Sequence, residues 1–173
     1  GGLGLVNVSS SMMFGAISGS AVASASAMGS TLIPMMKKQG YDADYAVNVT
    51  ATAATTGLLI PPSHNMIIYA ISAGGGLSIG SLFLAGIVPG ILLGLGLMLV
   101  TYLVAVKRGY SSGTFPGWRQ VLRHFVGALP GLFTVFIILG GILSGIFTAT
   151  ESSAIAVIYT VIVAVFVYRS LDW

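Results

Sequence analysis

Ala54-Thr55-Thr56-Gly57-Leu58-Leu59-Ile60-Pro61-Pro62-Ser63-His64-Asn65 decides how this chain must be read. It lies between Asp44 and Lys107, an interval with no other charged residue, where hydropathy asks for membrane-spanning helices. Neither proline has an N–H to donate, so the carbonyls four residues earlier, those of Gly57 and Leu58, lose their helical partners. An orphan carbonyl in hydrocarbon costs several kcal/mol, so broken backbone persists there only where protein, water or an ion satisfies it. The stretch is expected to be a discontinuous helix lining an ion or substrate site.

The composition agrees. Of 173 residues, 55% are hydrophobic and 6% charged, with a mean hydropathy of +0.98, against about 25% charge in a soluble domain. Only helices or closed barrels satisfy their backbone in lipid, and runs of this length and apolarity indicate an all-α polytopic membrane protein. The chain has no cysteine, which excludes disulfides and thiolate metal sites. It opens on Gly1-Gly2 without a methionine or a visible signal peptide, and is expected to be part of a longer chain.

Upstream of the break, residues 3–36 form an uncharged run of 34. As one helix it would measure about 50 Å against a hydrocarbon core of about 30 Å, and two full spans would need more residues. Its centre, Phe14-Gly15-Ala16-Ile17-Ser18-Gly19-Ser20-Ala21-Val22-Ala23-Ser24, is small and polar. Two half-length helices meeting at Ser18-Gly19-Ser20 fit as a re-entrant hairpin, with Pro34 and Lys37-Lys38 marking its exit. One long tilted helix, its small residues serving close packing, is the alternative. Asp42 is then expected to cap the broken helix, about 45–72, with Asp44 in its first turn. Gly74-Gly75-Gly76 makes a turn, and about 82–106 is a span ending at Lys107-Arg108.

Residues 107–124 read as a cytoplasmic or interfacial connection. Pro116 is expected to open a short helix in the membrane interface, with Trp118, Val121, Leu122 and Phe125 on one face and Arg119 and Arg123 on another. Arginines this close to lipid-facing sequence do not suggest a nucleic-acid surface. Residues 125–173 are expected to hold two transmembrane helices, 125–150 and 152–168. Lys37, Lys38, Lys107, Arg108, Arg119, Arg123 and Arg169 are all the lysines and arginines present. With two spans between successive clusters they share one face, cytoplasmic by the positive-inside rule.

No enzyme signature is present. His64 and His124 lack metal-site spacing, and Ser18-Gly19-Ser20 follows no strand and has no acid–His partner. What remains is coordination by oxygen from unwound helices and half-helix ends, as transporters use. Ser18, Gly19 and Ser20 at the hairpin tip, packed on Gly57, Leu58, Ile60 and Pro62, could build a sodium site without a carboxylate. Ser63, His64 and Asn65 are candidates for substrate contact, and helix N-termini could face an anion. His64 reads equally well as a satisfied cavity residue. Glu151 has two readings: a coupling carboxylate, or the N3 member of a capping box Thr148-Ala149-Thr150-Glu151.

These stretches resemble the large membrane subunit of tripartite ATP-independent periplasmic (TRAP) transporters. The resemblance rests on Phe14-Gly15-Ala16-Ile17-Ser18-Gly19-Ser20, Ile33-Pro34-Met35-Met36-Lys37-Lys38-Gln39-Gly40-Tyr41-Asp42 and Gly57-Leu58-Leu59-Ile60-Pro61-Pro62-Ser63. Leu82-Phe83-Leu84-Ala85-Gly86-Ile87-Val88-Pro89-Gly90 and Gly145-Ile146-Phe147-Thr148-Ala149-Thr150-Glu151 follow in the family's order. It implies an elevator-type secondary transporter of the bacterial inner membrane, with no cofactor beyond Na⁺ as coupling ion. It also implies a periplasmic substrate-binding protein that delivers an organic acid, and a small four-helix membrane subunit, separate or fused. A sodium site would carry over onto Ser18, Gly19, Ser20, Gly57, Ile60 and Pro62, and a second, inverted hairpin would follow Trp173. Ala149 stands where the family usually has proline. His64-Asn65 replace apolar residues of dicarboxylate-type members, which leans toward a hydroxyl-rich substrate such as sialic acid or another sugar acid over a C4-dicarboxylate. An ion channel would need a polar stripe that the spans after residue 80 lack. A purely structural subunit would leave the polar hairpin and the break without a purpose.

Overall fold

The computed structural model describes residues 1–74, 76–110 and 117–169, and the chain divides into two compact units, Gly1–Thr114 and Phe115–Trp173. Among the described residues there are helices and turns and no strand. Three helices are long and apolar enough to cross a membrane, Ile79–Lys107, Trp118–Leu143 and Ala149–Val167. The chain is an all-α, multi-pass membrane protein.

The first unit opens with a helical hairpin, α1 (Gly2–Ser18) and α2 (Ala21–Lys38). It turns because Gly19 takes φ +62, a left-handed conformation that needs no Cβ, while its N–H reaches the Gly15 carbonyl at 2.7 Å. Ser20 is extended, and its hydroxyl accepts the Ala23 N–H at 3.3 Å, capping α2. A single long helix over 3–36 is therefore ruled out. The arms are longer than the expected half-length helices, about 25 and 27 Å by helical rise, because α2 runs through Pro34 to Lys38.

The broken helix follows as α3 (Ala43–Ala54), a 3₁₀ turn Thr55–Leu58, and α4 (His64–Ser72). Then comes α5 (Ile79–Lys107), with 29 residues and no interruption at Pro89. Helix α1 runs parallel to α3 and antiparallel to α5. Down α5 the neighbours appear in order: Met66 and Leu59 against Gly86, Ile60 against Gly90, Met12 against Gly94, and Gly4 against Thr101. Lipid tails are as apolar as leucine, so association here depends on close packing and internal hydrogen bonds rather than on the hydrophobic effect. The buried inventory matches that: Val8, Met36, Ala46 and Ala53 are interleaved with Asn7, Ser11, Ser24 and Thr50, all at most 2% exposed.

At the base of the hairpin, Asp42 stands at the N-cap of α3 but makes no cap bond with its side chain. Its carboxylate instead takes the Tyr110 hydroxyl at 2.8 Å and the Arg108 guanidinium. The expected cap is diverted because the Arg108 guanidinium and the Tyr110 hydroxyl, both bonded to Oδ2, draw the carboxylate to the end of α5. Tyr41 stacks on Tyr110 at 4.2 Å between centroids, so the loop after α2 is clamped to the end of α5. The Tyr110 hydroxyl and Arg108 hold the Asp42 carboxyl below its ordinary value. A depressed carboxylate stabilises above its unfolded value and loses that contribution as pH falls, here below about pH 4. Asp42→Asn should flatten the acid-side decline of the thermal midpoint and lower it slightly at neutral pH. The effect is small and salt-sensitive because the pair is exposed. Superimposable acid profiles for wild type and variant would contradict this clamp.

In the second unit, α6 (Trp118–Leu143) is one continuous helix. The stripe at 118–125 is its first two turns, not a separate interfacial helix, since no proline interrupts the ladder before Pro130. Pro116 lies outside the described residues. Pro130 brings no N–H, and tyrosines complete the ladder around it. The Tyr168 hydroxyl donates to the Gly127 carbonyl at 2.9 Å and accepts the Gly131 N–H at 3.2 Å, and Tyr159 donates to the Pro130 carbonyl at 2.9 Å. The last helix is α7 (Ala149–Ile162), continued by a π turn, Val163–Val167.

Candidate functional site

Two glycines bring the two backbone interruptions together. A Cβ on Gly15 would lie 2.7 Å from the Gly57 Cα and 3.1 Å from its nitrogen. Conversely, a Cβ on Gly57 would lie 2.6 Å from the Gly15 carbonyl carbon and 2.8 Å from its oxygen. The main chains of α1 and the 3₁₀ turn therefore touch without side chains between them. One turn further on, a Cβ on Gly19 would meet the His64 nitrogen at 2.7 Å, so the hairpin tip abuts the start of α4. Ser18, Gly19 and Ser20 thus share one locality with the break that contains Gly57, Leu58, Ile60 and Pro62.

The oxygens divide into occupied and available ones. The Ser20 carbonyl accepts the Ser24 N–H at 2.9 Å and the Ser18 hydroxyl at 3.3 Å. The N–H of Ile60 goes to Thr56, and Pro61 has none, so the Gly57 carbonyl has no backbone donor three or four residues on. That expectation holds. The one for Leu58 does not: the Ser63 hydroxyl donates to the Leu58 carbonyl at 2.7 Å, and Ser63 is fully buried. Pro62 denies Leu58 its helical partner, and a hydroxyl five residues on takes that place. This corrects both the reading of Leu58 as a free carbonyl and that of Ser63 as a substrate-facing hydroxyl.

His64 and Asn65 are exposed on the first turn of α4, whose N-cap Ser63 makes no side-chain cap bond. The leading N–H groups of α4 are therefore not closed by their cap residue, a favourable place for negative charge. Among the described residues no three of His, Asp and Glu cluster. The donors at the tip and break are carbonyls and hydroxyls, the set that unwound transporter helices offer to Na⁺.

Glu151 belongs to the second unit. Its Oε2 accepts from the Thr148 N–H at 2.8 Å and the Thr148 hydroxyl at 2.9 Å, while the Glu151 N–H donates back to Thr148 Oγ1 at 3.3 Å. A complete capping box opens α7, as the spacing of Thr148 and Glu151 predicted. Gly15 and Asn7 are the residues that sequence reasoning passed over. The signal was available, since Gly4, Asn7, Val8, Ser11 and Gly15 recur at helical spacing and form the buried face of α1.

Comparison with known proteins covers the whole chain. The family described as "Tripartite ATP-independent periplasmic transporter, DctM component" matches residues 1–173. The chain is 44% identical, over 99% of its length, to the C4-dicarboxylate TRAP transporter large permease protein DctM of Vibrio cholerae, covering 37% of that protein. It is 41% identical to the sialic acid TRAP transporter permease protein SiaT of Haemophilus influenzae, covering 99% of this chain and 27% of SiaT. It is also 45% identical to the uncharacterized protein YgiK of Salmonella typhimurium, covering 99% of this chain and 39% of YgiK. It thus spans about two fifths or less of the length of these relatives. The chain belongs to the DctM-component family of tripartite ATP-independent periplasmic transporters, a family of transport proteins rather than enzymes.

Proposed function

We propose that this chain supplies the ion- and substrate-binding core of a sodium-coupled importer of organic acids that works by an elevator movement. The observation that carries the reading is the backbone contact of Gly15 with Gly57, which sets a hairpin tip beside a broken helix. Sodium would be held by main-chain oxygens of Ser18, Gly19, Gly57, Ile60 and Pro62, with the Ser18 and Ser20 hydroxyls shaping the tip. Leu58, whose carbonyl already accepts from Ser63, would join through its second lone pair. The substrate carboxylate would face the open N-terminus of α4, with His64 and Asn65 reading its remaining groups. Two polar side chains there favour a sugar acid such as sialic acid over a C4-dicarboxylate. The working assembly would include a small four-helix membrane subunit, separate or fused, and a periplasmic substrate-binding protein. It would lie in the bacterial inner membrane with the lysine and arginine loops cytoplasmic.

The test is uptake into proteoliposomes that hold the assembled transporter, with its binding protein outside. Labelled organic acid should accumulate under an inward sodium gradient and not when potassium replaces sodium. Equal uptake in both salts would overturn the sodium coupling.

A further inference from the structure

Asn7 has no neighbour in the proposed ion site, yet it is fully buried, and three of the four hydrogen-bonding directions of its amide are used. Its Nδ2 donates to Thr50 Oγ1 on α3 at 2.7 Å and to the Met36 sulfur on α2 at 3.2 Å. Its Oδ1 accepts from Ser11 on α1 at 3.2 Å. The Thr50 hydroxyl donates onward to the Ala46 carbonyl at 2.7 Å, so it can only accept from Asn7, which fixes the orientation of the amide. Ser24 of α2 donates to the Ser11 carbonyl at 3.2 Å and closes the network across the hairpin. One amide therefore ties together α1, α2 and α3.

Its placement along the helices gives it a purpose. Asn7 lies eight residues before Gly15 on α1, and Thr50 lies seven before Gly57 on the parallel α3. By α-helical rise along α1, and α-helical then 3₁₀ rise from Thr50, both spacings are about 12 Å, so the amide bond and the glycine contact are two fixed points of one parallel crossing. The glycine contact resists sliding by crowding at one point, because a neighbouring residue with a Cβ would not fit there. The buried amide resists it at a second point, because a slip of one residue leaves it unpaired and incurs the full desolvation penalty of the group. A single buried asparagine fixes register in parallel coiled coils by the same reasoning.

We infer that Asn7 is a positioning residue that sets the register of the hairpin against the broken helix, and through it the geometry of the ion site at Gly57. The ion-site half of this inference rests on the function proposed above; the register half does not. The test uses Asn7→Leu together with the paired variant Asn7→Leu/Thr50→Val, in which both polar partners are replaced by apolar groups of similar size. The pair leaves no unpaired group at Thr50, and the Ser11 hydroxyl can turn to the main-chain carbonyl one turn back on α1, so its thermal stability should stay close to wild type. Its half-saturating sodium concentration in uptake should still rise by about 10–100-fold, because a register change on the order of 1 Å displaces the Gly57 carbonyl from the hairpin tip. Spin labels at Val6 and Val47, both half-exposed on α1 and α3, report the register directly. Their distance distribution should broaden or shift in the pair relative to the otherwise unmodified labelled protein. A stable pair with wild-type sodium dependence and an unchanged distance distribution would overturn the inference. So would recovery of both readouts in the pair after their loss in Asn7→Leu alone, since that pattern marks a stability role. If uptake proves independent of sodium in wild type, the proposed function fails, and the distance distribution still decides the register claim.

Discussion

Gly57→Ala is expected to reduce sodium-dependent uptake by about 100-fold, the effect of a misplacement on the order of 1 Å at a working site. The added methyl group would press on the carbonyl carbon and oxygen of Gly15, both main chain, so no side chain can rotate away. Either α1 retreats or the 3₁₀ turn does, and both carry proposed ligands. Overpacking of this kind costs about 1–3 kcal/mol, enough to lower the thermal midpoint without preventing assembly. Gly15→Ala should behave alike, and the two should combine less than additively because they relieve one contact. Measured uptake and melting indistinguishable from wild type in Gly57→Ala would remove the basis of the site.

The second large effect is expected at the hairpin tip. Gly19→Val meets two obstacles, the left-handed φ of +62 and a Cβ 2.7 Å from the His64 nitrogen. The conformation alone costs about 1–2 kcal/mol for a residue with a Cβ. Gly19→Asn separates the two causes, since asparagine tolerates that conformation but still carries the Cβ. If crowding against α4 governs, both variants should lose uptake and weaken substrate binding together with sodium binding. Full activity in Gly19→Asn would assign the whole effect to backbone conformation and argue against contact between tip and α4.

Much of this was legible in the residues. Pro61 and Pro62 lack N–H groups wherever they occur, so the interruption of the helix follows from covalent chemistry. The hairpin turn at Ser18-Gly19-Ser20 and the box at Thr148 and Glu151 are equally local, because caps and left-handed turns are decided within four residues. What could not be read locally depends on partners far apart in sequence. Gly15 and Gly57 are 42 residues apart, and nothing in either neighbourhood announces the other. Asp42 has a good capping sequence, but Arg108 and Tyr110 arrive from the far end of α5 and take its carboxylate. Ser63, read from the sequence as a substrate contact, differs for another reason: its choice of the Leu58 carbonyl depends on the fold of the loop between them.

That Ser63–Leu58 bond bears on the order of events when an ion arrives. A helix interrupted by prolines could need its ion as a scaffold, collapsing when the ion leaves and rebuilding when it returns. Here the interruption supplies part of its own wiring, since one of the two carbonyls vacated by the prolines is already matched within the loop. In the proposed transporter the vacant and loaded forms would then share one backbone. Ion entry would be a matter of shedding water into a standing frame, its rate separate from that of any larger movement that follows.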